Sequence, residues 1–303
     1  MKLIIGLKDY NKILIKRKRT IMEYKILNNG IKMPMFGIGT FMLTPDEAEE
    51  SVYNALKNGY RLIDTANAYV NEKAVGRGIK KSGLAREEIF LETKLWPAFY
   101  EDNEAIDKTL KRLDTDYIDL MILHQPAGNY IEGYKKLEKA YKEGKLKAIG
   151  ISNFSEEEIQ EIMNKCEIKP TLIQVEAHPY YSQTKLNEFL KKEKIALQSW
   201  YPLGGKGNTK LIDEKIFAEL SEKYHKSSAQ IILRWHIQMG YIVIPGSRSE
   251  SHIKENIDIF DFELTDEEMK MISMLDKNVP FYIRTDEALK GFANWCPDVE
   301  GQK

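Results

Sequence analysis

At 303 residues and 35.1 kDa the chain is long enough for two ordinary domains or for one large barrel. Lys plus Arg number 45 and Asp plus Glu 46, and the resulting net charge of -1 provides no basic field for nucleic acid or an anionic membrane, which leaves a small molecule as the favoured partner. Cys166 and Cys296 lie far apart with no paired spacing, which suits inert thiols in a reducing compartment better than a disulfide framework.

Residues 1–21 contain the basic run Lys16-Arg17-Lys18-Arg19 and are followed at once by Met22. Their apolar stretch Leu3-Ile4-Ile5-Gly6-Leu7 is too short for the core of a signal peptide, and no small-residue cleavage site follows. They read as a disordered or solvated leader in front of a working unit spanning residues 22–303, in preference to a targeting or nucleic-acid tag, and the expected location is cytoplasmic. No later stretch is apolar enough to span a bilayer.

Residues 24–33 alternate around Asn28-Asn29-Gly30, a hairpin signal because Asn-Gly tolerates the positive backbone angles of a tight turn. A first strand over residues 36–39 leads to a helix opened by Thr44-Pro45-Asp46-Glu47 and stopped at Gly59. The second strand closes at Asp64 and a helix follows from about residue 71 to Gly83. The third strand closes at Lys94, with a helix over residues 102–113, and the fourth closes at His124, with a helix over residues 130–142. The fifth strand, residues 148–152, precedes a helix opened by Ser155 and a run of acids that suits its dipole. Strands six to eight cover residues 171–176, 195–200 and 241–245, and helices over 213–224 and 227–239 stand before the last. Eight units with apolar, β-branched strands predict a parallel sheet covered on its outer face, closed as an α/β (β/α)8 TIM barrel with the N-terminal β-hairpin as a cap. The alternative, a doubly wound dinucleotide fold, lacks its glycine fingerprint, because Gly37-Ile38-Gly39 is followed by Met42 where a third glycine belongs.

Asp64, Lys94 and His124 stand thirty residues apart, each closing an apolar run. In a barrel that spacing brings them together at the C-terminal ends of neighbouring strands. Singly, each has a plain reading: Asp64 as a turn cap, Lys94 as a solvated charge, His124 as a strand-end histidine, and Tyr69 as a loop aromatic. Together, at matched strand ends, they favour catalysis.

The string RLIDTANAYVNE at residues 61–72, with ETKLW around Lys94, LHQP around His124 and GISNF around Ser152-Asn153, resembles the aldo-keto reductases. The resemblance runs over nearly the whole chain from Met22, and is nearest to the microbial branch similar to diketogluconate reductases and prostaglandin F synthases. It implies a catalytic tetrad of Asp64, Tyr69, Lys94 and His124, and reduction of aldehydes and ketones with NADP(H), NAD(H) being tolerated. Carbonyl reduction needs a positioned acid and a pre-formed electrostatic pocket. Tyr69 is the expected proton donor, Lys94 is expected to lower its pKa, Asp64 to keep Lys94 charged, and His124 to orient the substrate oxygen. Tyr69→Phe is expected to spare cofactor binding, and Lys94→Met to spare the fold.

The resemblance also implies cofactor contacts. Ser152, Asn153 and Gln174 match positions that hydrogen-bond the nicotinamide amide, and Trp200 one that stacks on its ring. Gly39, Thr40, Asp64 and the loop Leu203-Gly204-Gly205-Lys206-Gly207 are expected to line the dinucleotide. In the last loop, Gly246 and His252 replace the Lys and Arg that grip the 2'-phosphate. With each such contact contributing about 1.5–3 kcal/mol, the loss is worth a factor of roughly 100 or more. Ser247 and Arg248 are expected to compensate, His252 to stack on adenine, and Glu255 and Asn256 to hold its edge. Trp96 is the expected substrate wall, with Phe281, Tyr282 and Trp295 as either rim or tail packing. The expected partner is a small carbonyl compound, with monomer and weak dimer both open. A non-enzymatic nucleotide-binding barrel, acting as regulatory subunit or redox sensor, is the runner-up, and the intact tetrad argues against it. A metal-dependent hydrolase is disfavoured because His178, His225, His236 and His252 show no paired ligand spacing.

Overall fold

A computed structural model describes residues 22–204 and 209–302. Eight parallel strands follow one another around a single sheet: β3 (Ile38–Gly39), β4 (Leu62–Asp64), β5 (Phe90–Leu95), β6 (Leu120–Leu123), β7 (Ile149–Ser152), β8 (Leu172–Glu176), β9 (Ala196–Trp200) and β10 (Ile242–Val243). The sheet closes on itself: Gly37 donates to the Val243 carbonyl and Val243 to the Met35 carbonyl, both at 2.9 Å, on either side of a parallel bridge between Phe36 and Val243. Most strands, such as β4, β5, β6 and β8, place apolar side chains on both faces, so the barrel interior and the helix-covered exterior fill together.

The antiparallel hairpin of β1 (Tyr24–Ile26) and β2 (Lys32–Pro34) caps the bottom of this barrel. Its turn carries Gly30 at φ 88°, as the Asn-Asn-Gly signal requires. Lys25 donates to the Gly240 carbonyl, Asn28 to Pro170 and Asn29 to Lys147, each acceptor lying just before a barrel strand. Leu27 and Met33 are buried beneath it.

Several helices begin at a residue whose side chain caps them. In α1 (Pro45–Lys57) the Thr44 hydroxyl accepts from Glu47 N and the Glu47 carboxylate accepts from Thr44 N, a reciprocal capping box with proline at N1. Next come α2 (Glu72–Ser82), ended by Gly83 at φ 71°, then α3 (Ala105–Leu113), α4 (Tyr130–Lys142), α5 (Glu156–Lys165, boxed by Ser155 and Glu158) and α6 (Thr184–Glu193). They continue with α7 (Lys215–Tyr224), α8 (Ser228–Gln238), α9 (Glu250–Asn256), α10 (Asp266–Ser273) and α11 (Asp286–Asn294). The third helix starts three residues later than the sequence suggests, because the Asp102 carboxylate accepts from Glu104 N and holds that stretch as a turn. Residues 1–21 lie outside the described residues.

Close packing inside the barrel leaves no room at Gly150 on β7. A Cβ there would stand 2.5 Å from the Leu172 carbonyl oxygen and 3.0 Å from Ile122 Cγ2. Gly150→Ala is therefore expected to cost about 1–3 kcal/mol by overpacking, read as a lowered thermal midpoint. An unchanged midpoint would mean that the strands yield there without strain.

Candidate active site

The upper ends of the strands bring the four sequence-predicted residues to one place. Asp64 is the last residue of β4, Lys94 lies near the end of β5 and His124 follows β6 directly. Tyr69 closes a 3-10 turn, Asn67–Tyr69, which folds back toward the barrel after β4. Lys94 Nζ donates to Asp64 Oδ1 at 2.5 Å and to the Thr65 carbonyl at 2.9 Å, and stands 4.9 Å from the centre of the Tyr69 ring. The His124 ring meets Tyr69 edge-on at 5.6 Å and Trp96 edge-on at 5.0 Å. Asp64 and Lys94 are buried, while Tyr69 is half-buried.

Burial dominates the electrostatics. It presses the Lys94 ammonium toward losing its proton, but its acidic neighbours, Asp64 first among them, more than offset this, so that Lys94 is raised and stays cationic. The Asp64 carboxyl is pushed up by burial against the pull of Lys94 and of the Gln174 amide. Burial also raises Tyr69, to about 12, and the opposing pull of Lys94 is too small to reverse it. This departs from the sequence expectation of a lowered phenol: the low-dielectric pocket that strengthens the Lys94 charge penalises the phenolate more. His124 is lowered well below its usual value by burial and then by Lys94, so it is neutral, and its Nδ1 is buried without a partner among the described residues.

The sequence-predicted cofactor residues line the same end of the barrel. Thr40 donates from both its backbone N–H and its hydroxyl to the Asp64 carbonyl. Gly39 and Gly246 approach each other closely, a Cβ on Gly246 standing 3.1 Å from the Gly39 carbonyl. Ser152 ends β7, and Asn153 follows at φ 67°, donating to the His124 carbonyl at 3.3 Å and accepting from Trp200 Nε1 at 2.9 Å. With this left-handed backbone the Asn153 side chain meets Trp200, which ends β9. Leu203 is half-buried against the core, and Gly205, Lys206 and Gly207 lie outside the described residues. Gln174 on β8 donates its amide nitrogen to Asp64 Oδ1 (2.9 Å), Glu92 Oε1 (3.2 Å) and Gln198 Oε1 (2.8 Å). Its side-chain carbonyl oxygen has no hydrogen-bond partner among the described residues.

The phosphate-loop residues sit together at the end of β10 and along α9. The Ser247 carbonyl accepts from the Ser51 hydroxyl of α1, and Arg248 is bound to the Met42 carbonyl at 2.8 Å and to the Glu47 carboxylate at 3.0 Å. His252 and Glu255 are exposed and Asn256 is buried. Sequence reasoning did not foresee that Arg248 would already hold an acidic partner.

The tail crosses this face of the barrel. Glu176, at the end of β8, accepts the backbone N–H groups of Phe281 (2.6 Å) and Tyr282 (3.0 Å), and Phe281 stacks on His178 at 4.3 Å. Arg284 donates to the Asn153 carbonyl and to the Glu158 carboxylate. Trp96 donates to the Trp295 carbonyl at 2.8 Å and meets the rings of Trp295 and Phe292 edge-on. The tail aromatics thus pack against residues of the site, Trp295 on Trp96 and Tyr282 beside Trp200.

Two residues escaped the sequence reading altogether. Glu92 and Gln198 are buried in the barrel interior and join the tetrad through Gln174. A signal for Glu92 was present: it lies two residues before Lys94, and the strand period of two puts both side chains on one face.

The model of the aldo/keto reductase family matches residues 34–277. The chain is 46% identical over 268 residues to the glyoxal reductase of Bacillus subtilis (strain 168), covering 87% of this chain and 96% of that protein. It is 39% identical over 257 residues to the methylglyoxal reductase DkgA of Escherichia coli (strain K12), covering 83% and 92%. Among solved structures, an aldo/keto reductase from Brucella melitensis superposes with a TM-score of 0.81 at 42% identity, covering 84% of this chain and 99% of that one. The aldose reductase of Schistosoma japonicum superposes with a TM-score of 0.84 at 32% identity, covering 89% and 97%.

Proposed function

The chain belongs to the aldo/keto reductase family, oxidoreductases acting on carbonyl compounds, and from that premise we propose that it reduces small aldehydes and ketones with NAD(P)H, using Tyr69 as proton donor. The observation that carries this reading is the constellation of Asp64, Lys94, Tyr69 and His124 at adjoining strand ends.

The fit to a nicotinamide dinucleotide rests on three features. The Gln174 carbonyl oxygen and the Asn153 amide are positioned to meet a carboxamide, Trp200 offers a ring beside them, and the close approach of Gly39 and Gly246 makes a cradle that side chains would fill. When bound, the reduced nicotinamide supplies the hydride for the carbonyl carbon. The chain supplies the rest. Neutral His124, its Nδ1 without a partner, offers Nε2 to the substrate oxygen and orients the carbonyl. Tyr69 is protonated at neutral pH and gives its proton to that oxygen, and Lys94 stabilises the phenolate as it forms, held cationic by Asp64. Trp96, with Phe292 and Trp295 packed against it, forms the apolar wall of the substrate pocket.

At the outer end of the groove, a 2'-phosphate would have to draw Arg248 away from Glu47. Ser247 and Arg248 would then serve the phosphate, His252 the adenine face, and Glu255 and Asn256 its edge. Because Glu47 competes for Arg248 and Gly246 offers no charge, NADPH is expected to be preferred by a modest factor, with NADH used. The names of the relatives make small dicarbonyl aldehydes the first substrates to try. The test is a steady-state screen of glyoxal, methylglyoxal, simple aldehydes and diketo sugars with each cofactor. No turnover with any of them would refute the reductase reading. A kcat/KM with NADH below about a thousandth of that with NADPH would refute the reading of the phosphate loop, since a thousandfold, about 4 kcal/mol, is more than the single charge-assisted contact left to Arg248, about 1.5–3 kcal/mol, supplies.

A further inference from the structure

The barrel interior directly beneath the tetrad holds a second carboxyl that the proposed mechanism does not use. Glu92 is fully buried on β5 and paired in register with Asp64 on one side and Leu120 on the other. The charged and titratable groups facing it are Asp64 from β4, Lys94 from its own strand and Tyr69 from the turn after β4, while β8 and β9 contribute the amides of Gln174 and Gln198.

Counting charges and hydrogens in this cluster leads to one arrangement. Two carboxyls face a single ammonium, so with both ionised the dry interior would hold an uncompensated negative charge. Asp64 is the better anion, since its Oδ1 accepts from Lys94 at 2.5 Å and from Gln174 at 2.9 Å. The Gln174 amide nitrogen has two hydrogens for three acceptors, and the two shorter contacts, to Gln198 and Asp64, claim them. Glu92 Oε1, at 3.2 Å, is left over, and Glu92 Oε2 accepts from Gln198 at 2.7 Å. Oε1 is therefore the atom on which a proton rests.

We propose that Glu92 is a positioning residue of this site: as a neutral carboxylic acid it accepts from the Gln198 amide nitrogen through Oε2 and so aims Gln198 Oε1 at the Gln174 NH2, which with Asp64 keeps that NH2 turned into the barrel, and it leaves Asp64 as the sole counter-ion of Lys94. This deepens the reductase reading and rests on it. Burial, with Asp64 adding to it, pushes Glu92 up to about 8, so the acid form prevails at neutral pH. Loss of that proton places a second negative charge beside Lys94 and Tyr69. A negative charge there disfavours phenolate, making Tyr69 a weaker acid and slowing reduction.

Two measurements test this. Infrared difference spectra of the full chain, with glutamate carboxyls isotopically labelled, should show one protonated glutamate carboxyl lost between about pH 6 and about pH 10, and absent from Glu92→Gln. This arm needs no turnover, so it reads the proton even if the reductase reading fails, and Glu72→Gln sets aside the band of Glu72, a second buried glutamate that burial pushes up. In the second arm, wild-type kcat for carbonyl reduction should fall up to about tenfold through an alkaline step that Glu92→Gln, neutral at every pH, lacks. If no glutamate carboxyl titrates in that range, or if Glu92→Gln keeps the same alkaline step, the proposal is overturned.

Discussion

Tyr69→Phe is expected to lower carbonyl reduction by about 10²–10⁴-fold, the range general acid catalysis supplies, while nicotinamide cofactors bind with affinity within about twofold of the wild type. The phenyl ring keeps its edge-on contact with His124 and its packing on Phe41 at 5.0 Å, so shape and stacking survive and only the hydroxyl is lost. Burial holds the Tyr69 phenol at about 12, against the opposing pull of Lys94. Across the neutral range the donor is therefore fully protonated, and its own ionisation should leave reduction rates flat. The reverse reaction, alcohol oxidation, needs the phenolate as base. Its rate should rise about tenfold per pH unit below that value until another step limits it. Single-turnover rates with cofactor dissociation constants measured by fluorescence separate the two effects. Reduction by Tyr69→Phe at near wild-type speed would remove Tyr69 from the chemistry, whatever happened to cofactor binding.

Lys94→Met is expected to do more than slow the reaction: it should destabilise the fold by about 3–5 kcal/mol at neutral pH, because it leaves Asp64 buried with no counter-ion. From sequence alone this substitution looks harmless to the fold, as a Lys at a strand end is usually solvated. Here both side chains are sealed from water, and Asp64 loses its closest hydrogen-bond donor as well. The sign with pH follows from burial. Without Lys94, nothing but Gln174 opposes the upward push on Asp64, so its folded pKa lies further above its unfolded one. The penalty is then smallest below the unfolded carboxylate pKa of about 4 and grows as pH rises toward the folded value. Denaturant unfolding of Lys94→Met at several pH values reads this directly. The double variant Asp64→Asn with Lys94→Met should recover most of the stability and none of the reduction rate. If Lys94→Met unfolds with wild-type stability at neutral pH, the pair is not the buried ion pair described here.

Much of the fold was legible in the sequence because barrel strands and helices are local objects. The Thr44 and Ser155 capping boxes, the Gly83 stop and the Asn28-Asn29-Gly30 turn each depend on residues within a few positions of one another, and all appear where the pattern puts them. The helices over the tail were not read, since α10 and α11 are short and bury little, α10 only Glu268 and Ile272 and α11 no residue at all, which leaves a weak apolar pattern. The site was legible at the level of which residues gather, because a strand-helix repeat of constant length returns the chain to the same end of the barrel.

What the sequence determined by itself is therefore the eight-unit alternation, the bottom cap and the gathering of Asp64, Tyr69, Lys94 and His124. Only the tertiary structure decided their charge states and their partners. Whether the Tyr69 phenol rises or falls depends on the balance between burial and the Lys94 ammonium, and burial is a property of everything packed around it. That Arg248 answers to Glu47, that Arg284 ties the tail to Asn153, and that Gln198 takes one Gln174 hydrogen and gives one of its own to Glu92 are contacts settled by how the chain folds. Local pattern carries backbone preference; desolvation and hydrogen-bond supply are settled by what the closed barrel brings alongside.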